Sequence, residues 1–229
     1  MAVFALSDLH LSFQVEKPMD IFGTAWQGYV EAIESNWRKL VSETDTVLIP
    51  GDVSWGTYLD QAKEDFEFIY NLPGIKYISK GNHDYWWETV TKMTGFLEQY
   101  NMADKIRFVY NSAFEAENFA VCATKGYERE TEERLKQREL IRLENSLIAG
   151  KKLSKEGLVA MLHYPPFYKN GEPIKEIFEV LKKYGTDILI YGHIHNKNHC
   201  CPVNETVDGI KIMLVSCDRV DFCPVRLAI

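Results

Sequence analysis

The strongest constraint in this chain is an alternation. Short apolar runs, rich in β-branched and aromatic residues, are separated by longer stretches with helical periodicity. Residues 2–7, 46–50, 75–80, 106–110, 119–124, 158–163, 187–191, 210–216 and 225–229 read as strands. Helical patterns cover 26–41, 58–71, 86–100, 128–148 and 174–184. The order is β-α-β-α-β at first and richer in strands later. That order predicts an α/β layered fold whose C-terminal half adds mixed or antiparallel strands. No repeat, low-complexity linker or boundary divides the chain, so one domain over 1–229 is expected.

Polar residues fall where such a fold places its ligands. Asp8 and His10 follow the first strand, Gly51-Asp52 the second, and Gly81-Asn82-His83-Asp84 the third. His163 closes another strand, and Gly192-His193-Ile194-His195 follows the next. Ligands of α/β sheets bind beyond the carboxyl ends of strands, so these five ends are expected to converge. Five of the six histidines lie in these clusters. The donors are imidazoles, carboxylates and one carboxamide, without a thiolate, which suits Mn, Fe or Zn rather than a soft structural site.

Composition narrows the partners. The 229 residues carry a net charge of −7, with 46% hydrophobic and 26% charged residues. These are globular values, and the acidic balance argues against diffuse attraction to long nucleic acid or anionic membrane. The five cysteines form no disulfide framework, and no apolar run is long enough to span a bilayer. The start lacks the basic region of a signal peptide. A cytoplasmic location is therefore expected, and the Asn204-Glu-Thr206 sequon carries no weight.

The series Asp8-Leu-His10, Gly51-Asp52, Gly81-Asn-His-Asp84, His163 and Gly192-His-Ile-His195 resembles the signature of the calcineurin-like metallophosphoesterase superfamily. It runs in the family's order from residue 8 to residue 195. Further stretches resemble a bacterial branch of predicted phosphohydrolases: Lys17-Pro-Met-Asp-Ile-Phe-Gly23, Gly51-Asp-Val-Ser-Trp55, Asn82-His-Asp-Tyr-Trp-Trp87 and Leu162-His-Tyr-Pro-Pro166.

The resemblance implies a four-layer α/β/β/α sandwich, two packed mixed sheets flanked by helices. It implies two divalent or mixed-valence ions (Mn, Fe or Zn), one held by Asp8, His10 and His195, the other by Asn82, His163 and His193, with Asp52 bridging. The implied reaction is hydrolysis of a phosphomonoester or small phosphodiester by a hydroxide that bridges the metals. His83 would act as general acid to the leaving oxygen or as donor to the phosphoryl oxygens, with Asp84 orienting its ring. Asp84 reads equally well as a cap for the following helix. The expected partner is a small phosphorylated substrate or a phosphoprotein, with oligomeric state open. A competing reading is a catalytically inactive metal-binding scaffold or interaction module of the same fold. A missing ligand or missing His83 would mark it, and none is missing.

Several residues stay open. Trp55, Tyr85, Trp86 and Trp87 either pack between sheet and helix or line the pocket. Lys80, Lys125, Arg129 and Arg219 either hold a second anion or are solvated. The charged segment 128–145 reads as a solvated helix with one buried stripe, or as a lid. His199-Cys200-Cys201 reads as an ordinary loop. Each of the four ligand histidines is expected to donate its other ring nitrogen to a carbonyl or carboxylate.

Overall fold

Strands buried on both faces need apolar residues at successive positions, because side chains alternate between the faces. The first such strand is β1 (Val3–Ala5): Val3 and Ala5 enter one apolar cluster and Phe4 another. β2 (Thr46–Ile49) sends Val47 and Ile49 one way and Leu48 the other. The computed structural model describes residues 1–128, 130–153, 156–195 and 199–228. Its remaining strands are β3 (Ile75–Ile78), β4 (Ile106–Phe108), β5 (Ser112–Ala116), β6 (Phe119–Thr124), β7 (Gly157–Leu162), β8 (Ile188–Tyr191), β9 (Asn204–Val207), β10 (Ile210–Leu214) and β11 (Val225–Arg226). The helices are α1 (Tyr29–Leu40), α2 (Lys63–Tyr70), α3 (Val90–Gln99), α4 (Glu133–Leu153) and α5 (Lys175–Lys183).

Two sheets result. One has the order β11-β1-β2-β3-β4, parallel except for β11; the other has β5-β6-β7-β8-β10-β9, parallel at its centre with antiparallel edges. Trp37 of α1, Phe66 of α2 and Met93 of α3 cover the outer face of the first sheet. Leu143 and Leu147 of α4, with Ile177 and Phe178 of α5, cover the second. Between the sheets lie Leu48, Val121, Val159, Met161 and Ile190, and Tyr77 stacks on Phe114 at 3.7 Å between ring centroids. The architecture is the expected α/β/β/α sandwich. Among the described residues no helix is long and apolar enough to cross a membrane.

The sheets are stitched together beside β1. Ser7 donates its amide to Val215 (2.8 Å) and accepts from the amide of Cys217 (3.0 Å), extending β1 against the continuation of β10. The carboxyl ends of β1, β2 and β3 thus face those of β7 and β8.

Some boundaries differ from expectation for local reasons. α1 starts at Tyr29, because residues 24–26 form a 3-10 turn and Gly28 adopts φ +65°. α3 starts at Val90, where Thr89 Oγ1 accepts from the Lys92 amide (3.3 Å), so Trp86 and Trp87 stay in the preceding loop. The 58–71 pattern divides into a 3-10 turn and α2. α4 begins at Glu133 and runs past residue 148. β5 and β9 were not foreseen: both are edge strands with several exposed residues. Ile229 of the expected last strand lies outside the described residues.

Candidate metal centre

The turns after the strands are tight, and four candidate ligands adopt left-handed backbone: Asp8 (φ 58°), His10 (45°), Asp52 (53°) and His193 (70°). Asp and His tolerate this region better than most residues, yet each such residue costs about 1–3 kcal/mol unless its surroundings hold it. Here they do. The amide of Asp8 donates to Gly51 (3.0 Å), that of His10 to Asp52 (3.0 Å) and that of Leu11 to Val53 (2.9 Å), so the turns after β1 and β2 run side by side. Tyr29 donates from its hydroxyl to the His10 carbonyl (2.8 Å). The His193 amide is shared by the two oxygens of Asp8 (3.0 Å each). A Cβ at Gly81 would fall on the Asp52 carboxylate, and one at Gly192 on Ser7 and Asp8, so these close approaches require glycine.

The seven expected ligands come together in two groups. Asp8, His10 and His195 present ligand atoms within 4.8 Å of one another, and so do Asp52, His163 and His193. Asn82 joins the second group, its Oδ1 lying 2.6 Å from His163 Nε2 and 2.9 Å from His193 Nδ1. Asp52 Oδ2 lies 3.5 Å from His163 Nε2 and 3.9 Å from His10 Nε2, between the groups.

Three of the four histidines have the expected outer partner. His163 donates through Nδ1 to the Pro50 carbonyl (2.9 Å), and His195 through Nδ1 to Asp218 (2.8 Å). His193 points Nε2 at Glu128 (3.3 Å). His10 departs from expectation: its buried Nδ1 has no partner among the described residues, and the ring lies stacked on Trp55 at 4.7 Å. His199 stands in neither group, with Nδ1 2.9 Å from Cys201 Sγ.

Burial dominates the electrostatics. It pushes His10 well below the imidazole range and His163 to about 3, and lowers His193. Burial together with the neighbouring charges of Asp84 and Asp8 raises Asp52 well above the carboxylate range. Asp8 goes the other way: burial opposes its ionisation, but the hydrogen bond and charge of His195, with His163 and His10, hold it low. His195 is likewise opposed by burial and raised to about 10 by Asp218 and Asp8. Asp8, Asp52 and Asp84 are all buried, and none has a Lys or Arg ion-pair partner among the described residues. Buried charge of one sign needs compensation. The Nε2 atoms of His10 and His195 face each other across 3.2 Å, beside two of those carboxylates. This donor set fits two cations that accept N and O ligands.

Asp84 corrects one expectation. Its carboxylate accepts from the amides of Asp52 (2.9 Å), Val53 (2.9 Å) and Gly81 (2.7 Å), so it ties the turns after β2 and β3 together instead of orienting the His83 ring or capping a helix. His83 is half-buried at the mouth; its amide donates to Asp52 (2.8 Å) and its ring lies 4.6 Å from Trp55. Burial, with the charges of Lys17 and His193, lowers its pKa.

The open residues sort as follows. Trp55 lines the cleft; Trp86 is core; Tyr85 is exposed, with its hydroxyl 3.4 Å from His83 Nδ1. Lys80 is half-buried, Lys125 lies over the Tyr164 ring (5.4 Å), Arg219 follows Asp218 in a 3-10 turn, and Arg129 lies outside the described residues. Glu139, Leu143, Leu147 and Gly150 give α4 its buried stripe. Glu128 and Asp218 were missed. Asp218 does sit just past the end of β10, where the other ligands' pattern points, whereas Glu128 has no such signal.

Imidazole and carboxylate donors for two cations, gathered where two packed sheets meet, define a protein of the metallophosphoesterase class. A family model described as calcineurin-like phosphoesterase matches residues 1–197, and the chain belongs to that family. Its fold is similar to that of a protein of unknown function, AQ665 from Aquifex aeolicus: 18% identity, 98% of this chain and 95% of that one covered, TM-score 0.55. It is also similar to TT1561 of Thermus thermophilus: 11% identity, 93% and 88% covered, TM-score 0.55. No curated protein matches the chain.

The raised pKa of His195 has a measurable consequence. In the metal-free protein His195 keeps its proton at neutral pH, so an ion must displace it to bind there. Mn²⁺ affinity should therefore rise with pH across the neutral range, by about tenfold per pH unit for each proton displaced. Calorimetric titration in buffers of different ionisation enthalpy should record proton release. Affinity independent of pH, with no protons released, would contradict this charge state.

Proposed function

We propose that the chain is a dinuclear metal-dependent phosphoesterase that hydrolyses a phosphomonoester or a small phosphodiester. The observation that carries this reading is the position of Asp52, whose Oδ2 lies within 4 Å of a histidine from each ligand group. Asp8, His10 and His195 would hold one ion, Asn82, His163 and His193 the other, and Asp52 both. Bound there, the ions supply Lewis acidity to a phosphoryl oxygen and to the attacking water, as Mn, Fe or Zn can.

The chain's own groups do the rest. Left-handed turns and shared amides hold the ligands before any ion arrives, which limits reorganisation on binding. His83 would donate a proton to the leaving oxygen, a reading supported by its ring lying 5.8 Å from that of His10 and its amide donating to Asp52. Burial and Lys17 favour its neutral form, and an arriving phosphate dianion acts in the opposite direction. The complete ligand set, with His83 present, speaks against an inactive scaffold.

Metal removal tests the class. Chelation should abolish phosphoester hydrolysis and added Mn²⁺ should restore it; undiminished turnover by metal-stripped protein would overturn the proposal.

His83→Ala tests the acid. Alkoxide leaving groups need a proton and nitrophenolate does not, so loss of a positioned acid should cost about 10²–10⁴-fold on alkyl esters and much less on nitrophenyl esters, with bound metal unchanged. Equal losses on both esters would assign His83 to stabilising phosphoryl oxygens instead.

A further inference from the structure

The ligand groups open into a cleft of about 890 Å³ whose two ends differ in chemistry. A ladder of rings runs along it. His83 and Trp55 are 4.6 Å apart between centroids, Trp55 and His10 4.7 Å, His10 and Trp26 6.1 Å, and Trp26 and Phe222 5.7 Å. The ligand histidine His10 stands in the middle. At the His83 end, the Lys17 ammonium sits 3.4 Å over the Trp55 ring. At the other end Trp26, Phe222 and the exposed Phe22 form an apolar wall, with the carboxylates of Asp218 and Asp221 beside it. That wall is preset: Phe222 donates its amide to Cys217 (2.7 Å), and Asn36 donates to the Phe222 carbonyl (3.3 Å). Lys17 reaches the cleft's edge over Trp55, and no other described Lys or Arg stands among the lining residues.

Resting on the phosphoesterase reading, we propose that the substrate is a nucleoside monophosphate, its base packed on the Phe22 and Phe222 rings that the buried Trp26 backs, and its phosphate turned toward Lys17 and His83. Rings on the wall match the π-face of a base. Carboxylates beside them match the donors a nucleoside carries, its ribose hydroxyls and exocyclic amines. An acyl chain offers no donors and would desolvate the Asp221 carboxylate without giving it a partner, Asp218 being already held by His195. A second phosphate directed to that end would meet Asp218 and Asp221, which disfavours nucleoside diphosphates.

The test uses the Mn²⁺-loaded full chain, with p-nitrophenyl phosphate as control for the class. The kcat/KM for adenosine monophosphate should exceed that for ribose 5-phosphate by about 10–100-fold, the usual weight of one stacked base. Adenosine diphosphate should be poorer than the monophosphate. In Phe22→Ala and in Phe222→Ala the ratio of monophosphate to ribose 5-phosphate should fall about tenfold through KM, with metal content unchanged. Asp221→Lys should narrow the gap between diphosphate and monophosphate. If p-nitrophenyl phosphate is turned over but adenosine monophosphate is no better than ribose 5-phosphate, or an aryl or acyl-chain phosphate is preferred, the substrate inference is wrong and the phosphoesterase reading stands. If the loaded chain hydrolyses no ester at all, both fall.

Discussion

Three buried carboxylates in one place govern this structure. Asp8, Asp52 and Asp84 lie where the two sheets meet, beyond the reach of any described Lys or Arg ion pair. Burying like charges without compensation is among the costliest arrangements a fold can adopt. Each carboxylate has its own answer. Asp84 is satisfied by three backbone amides. Asp8 leans on His195 and on the amide of His193. Asp52 accepts from the His83 amide and otherwise faces imidazoles that burial keeps neutral. Burial raises Asp52 and leaves Asp8 dependent on the His195 proton, and two cations would favour the charged form of both carboxylates.

The sheets provide the rigidity this demands. Ser7 and its neighbours join β1 to the continuation of β10, and His163 reaches from the end of β7 to the Pro50 carbonyl just past β2. Ligands from one sheet are thereby fixed against ligands from the other. The strained turns at Asp8, His10, Asp52 and His193 sit where the hydrogen bonding is densest, so the surrounding structure carries the cost.

The parts of this that were legible in the sequence share a physical cause. Central strands such as β2 and β6 are buried on both faces and announce themselves as apolar runs. Edge strands β5 and β9 keep exposed polar residues and do not. The ligand residues stood out because scarce histidines gathered at strand ends. Their outer partners did not: Asp218 and Glu128 reach His195 and His193 only through the fold. Asp84 misled because it adjoins His83 in sequence, whereas the turn sends the two side chains apart, Asp84 inward to amides and His83 to the cleft. Trp55 and Trp86 look alike in sequence and differ in place, one lining the cleft and one in the core.

The central claim is that Asp52 makes one dinuclear centre of two neighbouring sites. Electron paramagnetic resonance during a Mn²⁺ titration addresses it directly, because two ions sharing a carboxylate lie about 3.5–4 Å apart and couple magnetically. The account predicts the spectrum of a coupled pair once two ions are bound per chain, and its loss in Asp52→Ala. Two bound ions that keep the spectra of isolated Mn²⁺ would contradict it.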